Sequence, residues 1–404
     1  MQTESPIRVL RLIPRTVWVL GCVSLLMDVS SEIIHSLLPM FLMVGLGANA
    51  ATIGVIEGIA EATAPVVKVF SGTLSDYLGN RKWLAVTGYG LGALSKPLFA
   101  IAPTIGIVVT ARIIDRVGKG VRGAPRDALV ADVTPVHLRG AAYGLRQSLD
   151  TVGAFLGPLL AVVVMLTWAD NFRLAFWLAV IPGWLAVALL TFGIAEPAHA
   201  LDTKRVNPIH WDSLRQLDRT YWWVVLVGGV FALARFSEAF LVLRAMHSGV
   251  PVALVPLVMV AMNVVYSLSA YPFGKLADTT SHTKLMVAGL FVLVVADVVL
   301  AGSAHGGAVL IGVALWGLHM GMTQGLLATM VAHAAPPGLR GTAFGFFNLL
   351  SGIVTLASSV IAGILWDRLG APTTFYAGAA FSVLTAALLL CKSRPSEAAR
   401  SGLQ

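Results

Sequence analysis

The feature that most constrains this chain is its series of long apolar segments. A helix needs about 20 mainly apolar residues to cross the hydrocarbon core of a bilayer. The composition agrees, because 57% of the residues are hydrophobic and 12% are charged, against about 25% charged in soluble domains. The sequence therefore predicts an all-α polytopic membrane protein with twelve transmembrane helices. The segments lie near residues 17–44, 50–71, 83–102, 105–131, 140–167, 173–194, 221–246, 252–273, 284–303, 306–333, 341–366 and 373–391.

The longest polar interruption divides these helices into two sets of six. It predicts an N-terminal six-helix bundle of residues 1–195, a cytoplasmic central loop of residues 196–220 and a C-terminal six-helix bundle of residues 221–404. Lys and Arg collect on the cytoplasmic side of membrane proteins. With both termini in the cytoplasm, that side holds 16 of these bases and the other side holds 3. The bias predicts a multi-pass protein of the bacterial inner membrane with both termini cytoplasmic.

The two sets of helices repeat each other in sequence. Residues 72–82 (GTLSDYLGNRK) follow helix 2, and residues 274–284 (GKLADTTSHTK) follow helix 8, its counterpart six helices later. The segment HLRGAAYG before helix 5 likewise matches GLRGTAFG before helix 11. Two matches at the same offset predict two pseudo-symmetric six-helix bundles, a plan that many transporters share.

On these residues the chain resembles the major facilitator superfamily over essentially its whole length. The family's signature after helix 2 reads G-x-L-a-D-r-x-G-r-k, with Tyr77 and Asn80 here at two positions that are usually basic. The second copy keeps Gly274, Leu276 and Asp278 and has Ser281 in place of the later glycine. The first copy matches at Gly72, Leu74, Asp76, Gly79, Arg81 and Lys82.

Two further elements resemble motifs of the same family. Arg112 and Asp115 of helix 4 resemble its R-x-x-q-G motif, with Asp where Gln is usual. Gly153-x-x-x-Gly157-Pro158 of helix 5 resembles an element associated with antiporters, although small residues at this spacing also serve close helix packing. The resemblance implies a cavity lined by helices 1, 4, 7 and 10. It also implies a cytoplasmic gate that involves Gly72, Asp76, Gly79, Arg81, Lys82 and Asp278.

Helix 4 carries a stripe of charge that is too costly to face lipid. At 100° per residue, seven charged side chains fall within about 140° of its circumference. One charge at the bilayer centre costs roughly 2.5–3.5 kcal/mol on insertion scales, so the stripe is expected to face water or other charges. A solute pathway is the first hypothesis. The seven are Arg112, Asp115, Arg116, Lys119, Arg122, Arg126 and Asp127.

Opposite charges on helices 1, 2 and 5 are predicted to lie at matching depths. Asp28, Glu32 and His35 share one face of helix 1, and helix 2 carries Glu57 and Glu61. Such a network is either functional or a structural device that holds helices 1, 2, 4 and 5 together. Eight of the nine intramembrane bases lie in the first half, and the intramembrane charged residues of the second half are only Arg235, Glu238 and Asp297. This asymmetry favours function for helices 1 and 4, because folding alone does not require it.

Candidate residues follow from these chemistries. Proton coupling needs a carboxylate whose surroundings differ between two states, and Asp28, Glu32 and Asp115 are the candidates. The excess of bases on helix 4 suits an anionic group on the solute, since guanidinium binds carboxylate or phosphate bidentately. The predicted solute-binding residues are Arg112, Arg116, Lys119, His35, Gln324, His319, Asn263 and Tyr266.

The predicted function is secondary transport, the movement of a small organic anion or amphiphile by alternating access coupled to protons. The element at Gly153 to Pro158 favours antiport (efflux), and the alternative is proton-coupled uptake by symport. A non-transporting receptor or scaffold is an alternative of another class. An enzyme is not expected, since no nucleophile and base stand at catalytic spacing. No ATP motif, cofactor or metal is expected, and the expected partners are the solute, protons and the lipid bilayer, with no nucleic acid and a monomeric protein.

Overall fold

The computed structural model describes residues 12–78, 80–195, 215–323, 325–336 and 339–393, and the regular structure in these ranges is helical. The predicted fold class is confirmed. Ten helices in the described ranges are long and apolar enough to cross a membrane. The two further long helices, α2 and α4 as defined below, carry several charged side chains within their length.

The first six membrane helices follow the predicted segments closely. Asn80 and Asn171 cap the N-termini of the third and sixth, where each side chain accepts a hydrogen bond from a backbone N–H three residues later. The helices are α1 (Arg15–Met40, continued by a π-helical turn at Phe41–Gly45), α2 (Ala50–Leu78), α3 (Arg81–Ile101), α4 (Ile105–Val133), α5 (Arg139–Thr167) and α6 (Phe172–Gly193).

The second six helices include two that are broken. α7 runs as Arg219–Ala234 and Ala239–His247, and α10 runs as Gly306–Thr323 and Leu326–Ala334. The sequence predicts each as one continuous segment. The remaining helices are α8 (Leu257–Thr279), α9 (His282–Gly302), α11 (Arg340–Leu369) and α12 (Ala371–Ser393).

Serine side chains of α11 satisfy the backbone groups that the break in α7 sets free. The Ser359 hydroxyl accepts a hydrogen bond from the Ser237 N–H at 3.2 Å, and the Ser358 hydroxyl donates to the Leu233 carbonyl at 2.9 Å. Non-helical backbone inside a membrane is tolerated only where such partners replace the lost helical ones. The break is therefore held from a neighbouring helix.

Helix contacts repeat between the two halves with an offset of six. α1 packs on α5 and α6, α2 on α4, and α3 on α4 and α6. In the same way α7 packs on α11 and α12, α8 on α10, and α9 on α10 and α12. The halves meet mainly where α2 contacts α11 and α5 contacts α8, and these two contacts are themselves related by the offset. The repeat seen in the sequence is thus also a repeat in packing.

The halves are sealed on the side where α1 ends and α2 begins, here called the opposite side; the other is the termini side. Gly54 of α2 lies against the Ser359 carbonyl of α11, and a Cβ on Gly363 would lie 2.5 Å from the Ala50 carbonyl. The Asp367 carboxylate accepts hydrogen bonds from the backbone N–H groups of Ala50 and Ala51 at 3.1 and 2.8 Å. An acid of the second half therefore caps a helix of the first, which closes the opposite side.

Two of the three bases on the opposite side cap the ends of helices. The Arg173 guanidinium donates to the carbonyls of Ala100 and Ala102, at the C-terminal end of α3, at 3.0 and 2.9 Å. Arg244 is buried and donates to three carbonyls at the C-terminal end of α9, those of Leu300, Ala301 and Ser303. Cations at helix C-termini are favourable because the carbonyl groups there lack intrahelical partners. These two bases therefore hold helices together and do not line a solute pathway.

Candidate functional site

A cavity between the two halves is the candidate functional site. Its deep compartment, of about 490 Å³, reaches Trp316 and Glu238, and its mouth compartment, of about 580 Å³, reaches Arg126 and Gln147. Those last two lie about two helical turns from the termini-side ends of α4 and α5. With the opposite side sealed, the cavity opens toward the termini side. Both compartments are lined by Glu32, Glu61, Arg116, Lys119, Asn263 and Asn348.

The wall from the first half is charged, and the wall from the second half is mostly neutral and aromatic. Four aromatic rings of the second half line the deep compartment, namely those of Phe231, Phe236, Trp316 and Phe347. Among the described lining residues, the charged ones of the second half are Arg235 and Glu238 beside the break in α7. The charged lining residues of the first half are Asp28, Glu32, His35, Glu61, Lys68, Arg116, Lys119, Arg122, Arg126 and Asp150.

Arg112 is held in a buried ion pair. Its guanidinium donates to the Glu57 carboxylate at 2.5 Å, and the two side chains are 3% and 0% exposed. His35 joins this pair, with Nε2 at 3.8 Å from Glu57 Oε2 and Nδ1 at 3.5 Å from Glu32 Oε2. Arg112 and Glu57 lie outside the set of residues that line the cavity. The structure thus places the predicted solute ligand Arg112 behind the wall, whereas His35 is part of it.

Asp115 is also held in a buried pair, with a base that the sequence did not assign to it. The Lys96 ammonium of α3 lies 2.6 Å from the Asp115 carboxylate and 3.0 Å from the Ser31 hydroxyl. Lys96 and Asp115 line neither compartment. The predicted proton-coupling residue Asp115 therefore lies within the first bundle, away from the cavity. Only knowledge of how α3 packs against α4 gives this pairing.

Two predicted residues stand in the cavity without an ion-pair partner in the described part of the chain. Lys119 is exposed and borders both compartments, and Asp28 is half-buried and borders the mouth compartment. The neighbouring Arg116 is occupied, since its guanidinium lies 3.2 Å from the Glu61 carboxylate. Glu32 faces His35, as described above. Lys119 is thus the base of the stripe that is most available to an anion.

Bases nearer the mouth are occupied to different degrees. The Arg122 guanidinium lies 4.8 Å from the Tyr89 ring centroid, in a cation–π contact. Arg126 binds the Asp127 carboxylate at 3.1 Å and the Ser24 hydroxyl at 3.3 Å. Across the cavity, Arg235 lies over the Phe231 ring at 5.8 Å. These contacts leave Lys119 distinct from the other bases of the cavity wall.

The two glycines of the antiporter-like element bring α5 against α1. A Cβ on Gly153 would lie 2.7 Å from the Leu25 carbonyl, and one on Gly157 would lie 2.6 Å from the Glu32 Cβ. Glycine is needed here because any side chain would collide with α1. This close approach positions Asp28 and Glu32 beside α5, at the cavity.

Of the four remaining predicted solute-binding residues, two line the cavity, one is buried away from it and one lies outside the described structure. Asn263 and Tyr266 line the mouth compartment, and Asn263 donates a hydrogen bond to the Ala154 carbonyl of α5 at 3.3 Å. His319 is buried, with Nδ1 2.7 Å from the Gly289 carbonyl, and borders neither compartment. Gln324 lies outside the described residues. Trp316 and Phe236 were missed, because apolar aromatic residues in a membrane helix look like ordinary packing in the sequence.

The predicted gate is described only in part. Gly79 and the side chains of Asp76 and Asp278 lie outside the described structure. Arg81, at the start of α3, forms an ion pair with Asp132 near the end of α4. Lys82 is buried, and an added Cβ on Gly72 would touch Ala124 at 3.5 Å. The described gate residues thus lie where α2, α3 and α4 meet on the termini side.

One group of side chains has the spacing of metal ligands. His35, Glu57 and Glu61 each offer one ligand atom, and these atoms lie within 4.8 Å of one another. The two carboxylates are already bound by the guanidinium groups of Arg112 and Arg116. A cation would have to displace both and then lie beside them, so the group does not suit a metal.

Comparison with known proteins gives matches along the whole chain. A model of the Major Facilitator Superfamily matches residues 20–358 and again 239–403. An uncharacterized MFS-type transporter of Methanocaldococcus jannaschii is 29% identical over 94% of this chain and 95% of its own length. Multidrug resistance protein MdtH of Photorhabdus laumondii is 26% identical over 81% of this chain and 80% of its own. The crystal structure of the nucleoside transporter NupG has the same fold, with a TM-score of 0.72 at 14% identity over 94% of this chain and 99% of its own.

Proposed function

The chain belongs to the major facilitator superfamily, and we propose that it is a proton-coupled secondary transporter of small organic anions with an aromatic or otherwise apolar body. Secondary transporters of this plan move a solute by alternating access to a central site. The observation that carries the proposal is the cavity itself: on its charged wall Lys119 has no ion-pair partner among the described residues, and this wall faces a wall of aromatic rings. A solute with one anionic end and one apolar end satisfies both walls.

The anionic end is assigned to Lys119. An ammonium group that is exposed to the cavity and has no ion-pair partner in the described structure gains most from a bound anion. The apolar body is assigned to the deep compartment, where Phe236 and Trp316 already contact each other with ring centroids 5.3 Å apart. Pockets that hold small molecules usually combine an apolar lining with a few placed polar groups. The cavity has this composition.

Proton coupling is assigned to Asp28 and Glu32, and Asp115 drops out of the proposal because Lys96 holds it. Asp28 is half-buried at the cavity and has no ion-pair partner among the described residues, while Glu32 contacts the titratable side chain of His35. Both acids border the mouth compartment, through which a proton from the termini side would reach them. Solute and proton then compete for the same charged wall, which favours exchange of one for the other.

Export is the proposed direction. The excess of Lys and Arg on the termini side supports a cytoplasmic location for that side, and the cavity described here would then take up solute from inside a bacterial cell. A relative named multidrug resistance protein MdtH, at 26% identity, also supports export. Uptake by symport remains the alternative within the same fold, and the sign of the pH gradient that drives transport separates the two.

Replacing Lys119 with Gln should weaken the binding of benzenesulfonate at least tenfold. A hydrogen bond to a charged group contributes about 1.5–3 kcal/mol, and about 1.4 kcal/mol corresponds to one factor of ten. Titration calorimetry on purified protein measures the affinity. Neutral benzenesulfonamide should bind both proteins equally, because it lacks the full anionic charge that Lys119 recognises.

Lys68 provides the matched control. It lines the mouth compartment but is half exposed and lies 3.6 Å from the Asp127 carboxylate, so it already has a partner. Lys68→Gln should leave the affinity for benzenesulfonate within about twofold of the original, since exposed pairs contribute little. Equal losses from both substitutions would show that the cavity attracts anions only by its overall charge, and would contradict a specific role for Lys119.

Replacing Asp28 with Asn or Glu32 with Gln should abolish proton-driven transport and leave solute exchange intact. An amide has the shape of the carboxyl group but does not take up a proton near neutral pH. Proteoliposomes loaded with radiolabelled benzenesulfonate measure both activities, one with a pH gradient and one with unlabelled solute at equal pH. Unchanged gradient-driven transport in both variants would place the coupling elsewhere.

A further inference from the structure

One acid of the second half is buried without a hydrogen-bond partner among the residues that the structure describes. Asp297 lies in the middle of α9 and is 0% exposed. Neither of its carboxyl oxygens has a hydrogen-bond partner in the described part of the chain. The buried acids of the first half are different, since Glu57 and Asp115 each bind a base. Polar groups buried in this way are rare in folded proteins, and each requires an explanation.

The Asp297 carboxyl group lies beside a glycine and an aromatic ring. A Cβ on Gly378 of α12 would lie 2.7 Å from Asp297 Oδ2 and 3.0 Å from the ring of Phe236. The carboxyl group and the Phe236 ring are therefore neighbours. On α10, the titratable His319 meets α9 at Gly289, about two helical turns from Asp297. The charged Arg235 and Glu238 lie on either side of Phe236 in the chain and line the cavity.

Phe236 borders both this acid and the central cavity. Its ring lines the deep compartment and also touches the rings of Trp316 and Phe375, with centroids 5.3 and 5.5 Å away. Phe236 lies within the non-helical break of α7, between Ala234 and Ala239. A rearrangement of this break would have to exchange the serine contacts from α11 that hold it, and it would move the Phe236 ring with it.

Burial without a partner determines which form of the acid is stable. An ionised carboxylate in apolar surroundings is far less stable than the neutral acid, because nothing replaces its water. The state described here therefore holds the neutral form, and a state that exposes Asp297 to cavity water allows the ionised form. Two conformations that bind a proton unequally are coupled to the proton concentration.

We propose that Asp297 is a proton-carrying residue of the second half, shielded by Phe236, which exchanges its proton with cavity water when the break in α7 rearranges. One O–H bond of the carboxyl group breaks and one forms on a water molecule, and no other group takes part. The proposal rests on the transport function above, to which it adds a second proton site in the other half of the chain from Asp28 and Glu32. A structural role does not explain this acid, because such a role needs a bound partner and neither carboxyl oxygen has one in the described part of the chain.

Infrared spectroscopy of the purified full-length protein tests the charge form without any solute. The wild type should show the carbonyl band of a protonated carboxylic acid that is missing in Asp297→Asn, an isosteric change, and in Asp297→Leu. Asp170→Asn, at an exposed turn on the opposite side, is the matched control and should keep the band. If the band is absent from the wild type at neutral pH, the proposal is overturned.

The shielding role of Phe236 is tested by transfer into D₂O, which shifts the band as the acid exchanges its proton. Phe236→Ala should speed this exchange at least tenfold. Phe240→Ala removes a ring of the same cluster that is buried and does not line the cavity, and it should leave the exchange rate unchanged. Equal rates in both variants would overturn the shielding. Since neither measurement involves solute, a failure of benzenesulfonate to bind would count against the proposed function and not against this site.

Discussion

Replacing Glu57 with Gln is expected to lower the free energy of unfolding by about 3–5 kcal/mol, the cost of leaving a buried charge without its partner. Glu57 is 0% exposed and binds Arg112 at 2.5 Å, while His35 lies 3.8 Å away. Gln keeps the shape of the side chain but leaves the Arg112 guanidinium with no counter-charge at this position. A lower melting temperature in detergent, followed by size-exclusion chromatography after heating, measures the loss.

Glu61 is the matched control, one helical turn further along α2. It binds Arg116 at 3.2 Å, but its side chain is 37% exposed to the cavity. Water can replace the lost contact there, so Glu61→Gln should cost no more than about 1 kcal/mol. The double variant Glu57→Gln with Arg112→Gln should recover part of the lost stability, because it removes the stranded charge. Equal melting temperatures for the two single variants would contradict the burial argument.

Replacing Gly363 with Leu should open the seal on the opposite side. A Cβ at this position would lie 2.5 Å from the Ala50 carbonyl and 2.7 Å from the Ala51 Cα, and both are backbone atoms that cannot move aside. Overpacking of this kind costs about 1–3 kcal/mol, and only the conformation in which α2 and α11 touch bears that cost. The equilibrium should therefore shift about 5- to 150-fold toward the state open on the opposite side.

Labelling from the opposite side measures this shift. A cysteine placed at Thr355, which lines the deep compartment, should react faster with an impermeant maleimide in the Gly363→Leu variant, with Cys22 and Cys391 replaced in both proteins. Gly341→Leu is the matched control on the same helix, since a side chain there meets open space. If Gly341→Leu accelerates labelling as much as Gly363→Leu does, the effect does not come from the seal.

The sequence predicts the helices well because membrane helices are set by local apolar length. Ten of the predicted segments differ from the observed helices only in where they end. An eleventh, α10, also has a break at Gly325, whose φ of 76° is left-handed. The break in α7 could not be predicted in the same way. Residues 235–238 contain neither Gly nor Pro, and the partners that stabilise the break, Ser358 and Ser359, lie over 100 residues away on α11.

Prediction of the candidate site was limited by pairing across helices. Periodicity places the charges of α4 on one face. Counting depth places His35 near Arg112, but it places Glu57 near Arg116, whereas in the structure Glu57 pairs with Arg112. Neither periodicity nor depth shows which base already has an acidic partner. Lys96 of α3 pairs with Asp115, and Glu57 of α2 pairs with Arg112. Only the packed structure therefore shows that Lys119 is available to an anion. Likewise, Asp297 is isolated only because of what surrounds it.

The carboxylate of Asp367 caps α2 although the two belong to different halves of the chain. Closure of the opposite side is thus an intramolecular binding reaction. Its equilibrium constant depends on the effective concentration of one half near the other, which the connection between the halves sets. In the intact chain this closure does not depend on how much protein is present. If the chain were cut between α6 and α7, the same contact would become bimolecular, and dilution alone would then favour opening.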